Sequence, residues 1–340
     1  MEIAFILEKL ILVVVVFVVT LVIAMYSTLA ERKIAGFMQD RYGPDRAGIF
    51  GLLQPLCDGG KFFFKEEIIP AGAHKTLFIL GPVIAIITAC ISSAVIPWGQ
   101  NLVIDGRSIP LQVADVNIGV LYIFGVIALG VYGIMLGGWA SNNKFSLMGA
   151  IRAASQSISY EIGLGLSLIA LLMVTGTLQL GEIVAQQSGF VNWNIWVQPL
   201  GFLIFITCAF AECNRVPFDL PECETELVGG YHTEYSSMKL GLYMFSEYIN
   251  MFVSSALMAA LYFGGYNFPF MYELGLSQNW ITIIGVFVFF LKIFGFIFFF
   301  MWIRWTLPRF RYDQLMNLGW KVLIPLAIAN ILRTGYAIIN

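Results

Sequence analysis

The sequence predicts an all-α polytopic membrane protein of eight transmembrane helices, and three observations predict it. Hydrophobic residues make up 59% of the 340 and charged residues 12%, about half the charge of an ordinary soluble domain. Eight apolar runs are long enough to cross a hydrocarbon core, which takes ~20 residues at ~1.5 Å each. Stretches such as ILVVVVFVV and IFGFIFFFMW are continuously apolar, whereas barrel strands are shorter and alternate.

The runs fall at about 5–28, 77–96, 117–139, 156–178, 195–213, 239–263, 281–303 and 318–338 within a single membrane domain, 1–340. The first follows MEIAFILEKL, which lacks a basic leader and a cleavage site, so it reads as a retained span. Between the first and second runs lies 46–66, RAGIFGLLQPLCDGGKFFFKE, whose mixed Leu, Phe, Asp and Lys suit an amphipathic segment lying in the interface after helix 1.

Lysine and arginine set the orientation. The loops at about 29–76, 140–155, 214–238 and 304–317 hold most of them, and the opposite side holds Lys9, Arg107 and Arg333. The positive-inside rule places those four loops in the cytoplasm (or matrix) and both termini on the periplasmic (or intermembrane) side.

Composition also excludes function classes. Nineteen basic against twenty-one acidic residues argue against a nucleic-acid partner, which needs a basic surface. Five scattered cysteines and two distant histidines offer no metal or iron-sulfur spacing, and no phosphate-binding glycine loop is present. No cofactor is expected on this chain, and no catalytic residue in isolation.

The chemistry-bearing residues cluster. Segment 211–235, AECNRVPFDLPECETELVGGYHTEY, sets Glu212, Asp219, Glu222, Glu224, Glu226 and Glu234 around Arg215. Glu161 falls near the inner end of the fourth run, Glu212 at that of the fifth, and Glu247 about two turns into the sixth. An ionised carboxylate in hydrocarbon costs at least ~2.5–3.5 kcal/mol, so such groups face water or partners, or stay protonated. Crowded carboxylates raise one another's pKa and become able to pass protons near neutral pH; a run of like charge is equally what a solvated face shows. Lys292, in the middle of FVFFLKIFGF, needs a carboxylate or water nearby, either as a register-fixing ion pair or in transport.

Five segments, ERKIAGFMQDRYGPDRAG (31–48), GLLQPLCDGGKFFFKEE (51–67), GWASNNKFSLMGAIRAASQSISYE (138–161), AECNRVPFDLPECETELVGGYHTEYSS (211–237) and IRWTLPRFRYDQLM (303–316), together resemble the NuoH family of membrane subunits from respiratory complex I, the NADH:quinone oxidoreductase. The resemblance covers nearly the whole chain. It implies a proton-translocating assembly in which quinone is substrate, while FMN and iron-sulfur clusters sit in partner subunits. Those partners are the peripheral-arm subunits of the quinone site and the neighbouring membrane-arm subunits; lipid surrounds the rest. By motif it implies quinone-opening and chamber residues Arg32, Gln39, Arg41, Asp58, Phe218 and Arg304. It implies a proton-coupling chain of Glu161, Glu212, Asp219, Glu222, Glu224, Glu226, Glu234 and Glu247, with Lys292 as an intramembrane base.

Departures are small: Cys57 and Cys223 stand where a small residue is usual, and Gly59-Gly60 loosens the amphipathic helix. The rival readings are the corresponding subunit of a membrane-bound hydrogenase or formate-hydrogenlyase complex, and a stand-alone ion transporter. The expected location is the bacterial plasma membrane, with the mitochondrial inner membrane as the alternative.

Overall fold

The computed structural model describes residues 2–104, 106–222, 224–271, 273 and 275–340. In chain order the elements are α1 (Glu2–Met38), α2 (Gln54–Phe64), α3 (Lys75–Ser92), the strands β1 (Leu102–Ile104) and β2 (Arg107–Ile109), α4 (Gly119–Ala140) and α5 (Lys144–Thr175). They continue with α6 (Leu180–Gln186), α7 (Asn194–Val197), α8 (Pro199–Glu212), α9 (Glu224–Leu227), α10 (Ser237–Tyr262) and α11 (Gln278–Thr306). Helix α12 (Tyr312–Asn317) joins α13 (Ile324–Ile339) through a π-helical stretch, Leu318–Leu323. The two strands pair antiparallel as a small hairpin outside the helices.

Among the described residues, seven helical segments are long and apolar enough to cross a membrane: Ile6–Met38, Lys75–Val95, Gly119–Ala140, Lys144–Thr175, Ser237–Tyr262, Gln278–Thr306 and Tyr312–Ile339. The eighth expected run, 195–213, is divided. Gln198 leaves helical geometry (φ −124°, ψ 55°) because Pro199 follows it and opens α8 from its first position, the place where a missing N–H does no harm. The 14-residue remainder spans ~21 Å, short of a ~30 Å hydrocarbon core.

Two other helices outrun their sequence-predicted limits. Helix α1 continues to Met38, carrying Glu31 and Arg32 on its last turns. Helix α5 begins at Lys144 because the side chain of Asn143 accepts the Phe145 N–H at 2.9 Å, an N-cap that moves the start well before 156. It stops at Gly176, whose left-handed φ of 71° suits glycine. Glu161 therefore sits in the middle of a 32-residue helix, not near its end.

Helix α10 lies at the centre, packed against α1, α3 and α11, and nearly all of it from Met251 to Tyr262 is buried. Beside it α3 and α4 approach so closely that a Cβ on Gly133 would stand 2.7 Å from the Gly81 carbonyl, the kind of contact small residues permit between membrane helices. Tyr243 of α10 enters that junction and donates to the Gly133 carbonyl at 3.0 Å. Valine, leucine and phenylalanine on the outer faces of α1 and α11 remain exposed, as a lipid-facing surface requires.

The amphipathic helix α2 is clamped between α1 and α10. Arg32 of α1 bonds Asp58 at 2.6 Å, and Ser237 at the start of α10 donates to the carbonyls of Phe62 and Lys65 at 3.0 and 2.9 Å. Its outward side chains Leu56, Phe63 and Phe64 are exposed, as an interfacial helix presents them.

Candidate coupling site

Three long helices and one loop meet at a buried glutamate that sequence reasoning passed over. Glu31 of α1 is ion-paired with Arg304 of α11, accepts from Arg215 Nη1 at 3.3 Å and accepts from the Tyr248 hydroxyl of α10 at 2.9 Å. Arg215 lies 4.1 Å over the Tyr248 ring, a cation–π contact strengthened by desolvation. Glu31 and Arg215 are 6% and 5% exposed, so their charges are answered by each other and not by water.

The residues expected to frame the quinone chamber divide among several places. Arg304 joins the Glu31 cluster. Arg32, which follows Glu31 in sequence, turns instead to Asp58, which also accepts from Gln54 Nε2 at 3.2 Å. Arg41 and Gln39 pair with each other at 2.8 Å on the exposed end of α1. Phe218 is buried between Tyr160 and Phe310, with ring centroids 5.4 and 5.5 Å away, and packs as a core residue.

The acids form a connected string on the other side of Arg215. Asp219 accepts from Arg309 Nη2 at 2.8 Å. Burial first, and the Glu222 charge second, push its carboxyl up to about 7 against the pull of Arg309 and Arg304. The Tyr231 hydroxyl donates to both Glu222 (3.4 Å) and Glu247 (3.1 Å), while His232 Nδ1 stands 3.5 Å from Glu222. Burial, then Glu247 and Glu222, hold the Tyr231 hydroxyl well above its usual range, so it stays a donor. The Glu222 and Glu247 carboxyls thus meet through the one Tyr231 hydroxyl.

Beyond Glu247 the string reaches a cavity of about 20 Å³, lined by Glu247, Tyr231, Cys213, Asn214, Asn250 and Glu212 among others. That is room for a single water with several polar partners. Glu212 Oε2 is buried against it with no hydrogen-bond partner, and Glu161 of α5 is close enough to act on Glu212 electrostatically. Two expected members lie to the side: Glu226 bonds Arg152 at 2.6 Å in an exposed pair, and Glu234 accepts from Asn143 Nδ2 at 2.5 Å. The side chain of Glu224, and Cys223 with it, fall outside the described residues.

Lys292 meets neither a carboxylate nor the ion pair that sequence reasoning considered. Its ammonium donates to the carbonyls of Phe263, Gly265 and Asn267 at 2.7, 2.8 and 2.6 Å and lies 4.7 Å from the Trp193 ring. The reason is local: the three carbonyls belong to the C-cap residue Phe263 and the turn that follows α10, beyond the reach of helical N–H groups, and they add to the negative end of the helix.

What sequence reasoning missed has identifiable causes. Glu31 opens the ERK motif, but it fell in the predicted loop 29–76, where an acid beside two bases reads as an ordinary surface pair. Tyr231 meets Glu247 in space and not in sequence, Tyr248 follows Glu247 directly but turns to Glu31 far along the chain, and a lone tyrosine carries no signal of such a contact.

Comparison with known proteins agrees over the same span. The family described as NADH dehydrogenase matches residues 10–335. An H-type subunit of the Cytophaga hutchinsonii NADH-quinone oxidoreductase is 70% identical over 335 residues, 98% of each chain. The H-type subunit of the Flavobacterium psychrophilum enzyme is 62% identical, covering 100% of this chain and 99% of its own. One from Geobacter metallireducens is 50% identical over 322 residues, 94% and 93% of the two chains.

Proposed function

The chain belongs to the NADH dehydrogenase family, and we propose that it works as a membrane subunit of an NADH:quinone oxidoreductase, helping to shape the quinone path and passing the effect of quinone reduction into the membrane. Peripheral-arm partners carry FMN and the iron-sulfur clusters; quinone is the shared substrate, and the setting is a bacterial plasma membrane. In that membrane the apolar segments cross eight times, with the divided run 195–213 as the fifth crossing and the lysine-rich loops on the cytoplasmic side.

The observation that carries this reading is the succession of groups from the Glu31–Arg304 pair, through Arg215, whose Nη2 stands 4.0 Å from Glu247, to Glu222 and the cavity beside Glu212. One end stands where α1, α10 and α11 meet, close to the α2 clamp, and the other lies inside the bundle. Arginines there can hold the polar head of a quinone or an acid by forked bonds. A change of charge at that end alters which acids beyond Arg215 hold protons. An electrostatic relay of this kind needs neither a metal nor a nucleophile on this chain.

The test is Glu247→Gln in the assembled complex. NADH oxidation by a soluble artificial acceptor, which uses only the flavin end, stays near normal, while NADH-driven quinone reduction falls about tenfold or more, equivalent to ~1.4 kcal/mol or more of barrier. Loss of both activities together indicates failed assembly, and retention of both contradicts the reading.

A further inference from the structure

Arg215 is placed to serve two carboxylates and satisfies neither fully. Its Nη1 bonds Glu31 at 3.3 Å, and its Nη2 stops 4.0 Å from Glu247, beyond hydrogen-bond length. Nη2 and Nε are buried yet have no hydrogen-bond partner, an uncommon state for a guanidinium and one that asks for an explanation. Glu31 has more than it needs, since Arg304 and the Tyr248 hydroxyl hold it as well. Glu247 has less, since it accepts from the Tyr231 hydroxyl alone among the described hydrogen bonds.

We propose that Arg215 is a positioning residue with two stations, its guanidinium moving about an ångström between Glu31 and Glu247 and so linking the Arg304 side of the cluster to the acid string. The inference rests on the reading of the site as a coupling element and adds the moving part. When Glu31 is well held by Arg304, Arg215 is free to close on Glu247 and favour its charged form. When Arg304 is drawn away, by a negative group arriving near the end of α11, Glu31 claims Arg215 and Glu247 is left without it. Each state has contacts the other lacks, which a two-state element requires. The groups facing this position are Tyr248, Glu247 and Tyr231 on and beside α10, Glu31 on α1, Arg304 on α11, and Cys213, Asp219 and Glu222 on the loop after α8.

A double-mutant cycle on the assembled complex in its own membranes tests the link. Glu31→Gln, Glu247→Gln and the pair are compared by quinone reduction divided by artificial-acceptor activity, which corrects for assembly. If Arg215 couples the two sites, the double variant loses at least about fivefold less than the product of the single losses. The same cycle in an Arg215→Lys background, which keeps the charge but not the fork, shows no such excess. A structural role for Arg215 gives equal coupling in both backgrounds and overturns the proposal. Single losses that multiply within about twofold overturn it while leaving the coupling reading intact; single variants without any loss overturn both. Should Glu31→Gln prevent assembly, Tyr248→Phe takes its place in the cycle, with the same expectation and the same contradiction.

Discussion

The two ends of α10 handle buried polar groups in opposite ways. At its C-terminal end, Gln187 donates to the Ile183 and Ala260 carbonyls and accepts from the N–H groups of Asn194 and Gly264. Asn194 donates to the Leu261 carbonyl, and Lys292 closes three more. The participants are neutral amides and one cation held by fixed backbone, and the buried atoms left unmatched there, Trp193 Nε1, the Tyr262 hydroxyl and Asn267 Oδ1, are all neutral. Near its N-terminal end stand Glu247, Glu222, Asp219 and Arg215, charged side chains answering charged side chains, with Arg215 Nε and Nη2, Asp219 Oδ1 and Glu212 Oε2 left unmatched. Neutral groups tied to backbone fix one geometry, whereas charged side chains that answer one another have alternative arrangements within reach. The contrast teaches where this helix is anchored and where it is built to respond.

The largest effect comes from breaking the anchor. Gln187→Leu orphans two buried N–H groups and two carbonyls at once, each worth about 1–3 kcal/mol when left unmet. The expected outcome is a complex that fails to accumulate, read as loss of the chain from membranes and of artificial-acceptor activity with it. Lys292→Met follows, with a thermal inactivation temperature several degrees lower and quinone reduction reduced only in proportion to the complex remaining. Survival of Lys292→Met with full stability and selective loss of turnover would move Lys292 from the anchor to the responsive set.

A smaller effect is expected from Asp219→Asn, through pH. The folded carboxyl titrates at about 7 against an ordinary 3.8, so between those values the folded state keeps a proton that the unfolded chain has released. Stability from this group is therefore lost as pH rises from about 4 to about 7 and changes no further above that. The Asn variant removes the slope. Its inactivation temperature varies less than the parent's across about pH 5 to 7, and a parallel pair of curves contradicts the assignment.

The smallest belongs to Glu226. Its pair with Arg152 is half exposed, and such pairs contribute about 0–1 kcal/mol. Glu226→Gln is expected to leave stability within about 0.5 kcal/mol and quinone reduction within about twofold. A tenfold loss would return Glu226 to the coupling chain that its motif implied.

Much of this was legible because membrane folding is written in long apolar runs. The helices around α3, α4, α10 and α11 follow the pattern read from the chain, and the family follows from motifs such as ERK and LPECETEL. What escaped was set by local backbone chemistry or by distance along the chain. Pro199 divides a run that hydropathy treats as continuous, and Asn143 starts α5 early enough to carry Glu161 to mid-helix. Lys292 finds carbonyls because α10 happens to end beside it, which no window around residue 292 records. Glu31 meets Arg215 and Tyr248 only after 184 and 217 residues of chain have folded back.

The central claim, that acids beyond Arg215 change protonation when quinone is reduced, is tested most directly by infrared difference spectroscopy of the assembled complex. The account predicts a carboxyl C=O band in the reduced-minus-oxidised spectrum that is lost in Glu247→Gln and altered in Glu212→Gln. A spectrum unchanged in both variants, in complexes that still reduce quinone, contradicts it.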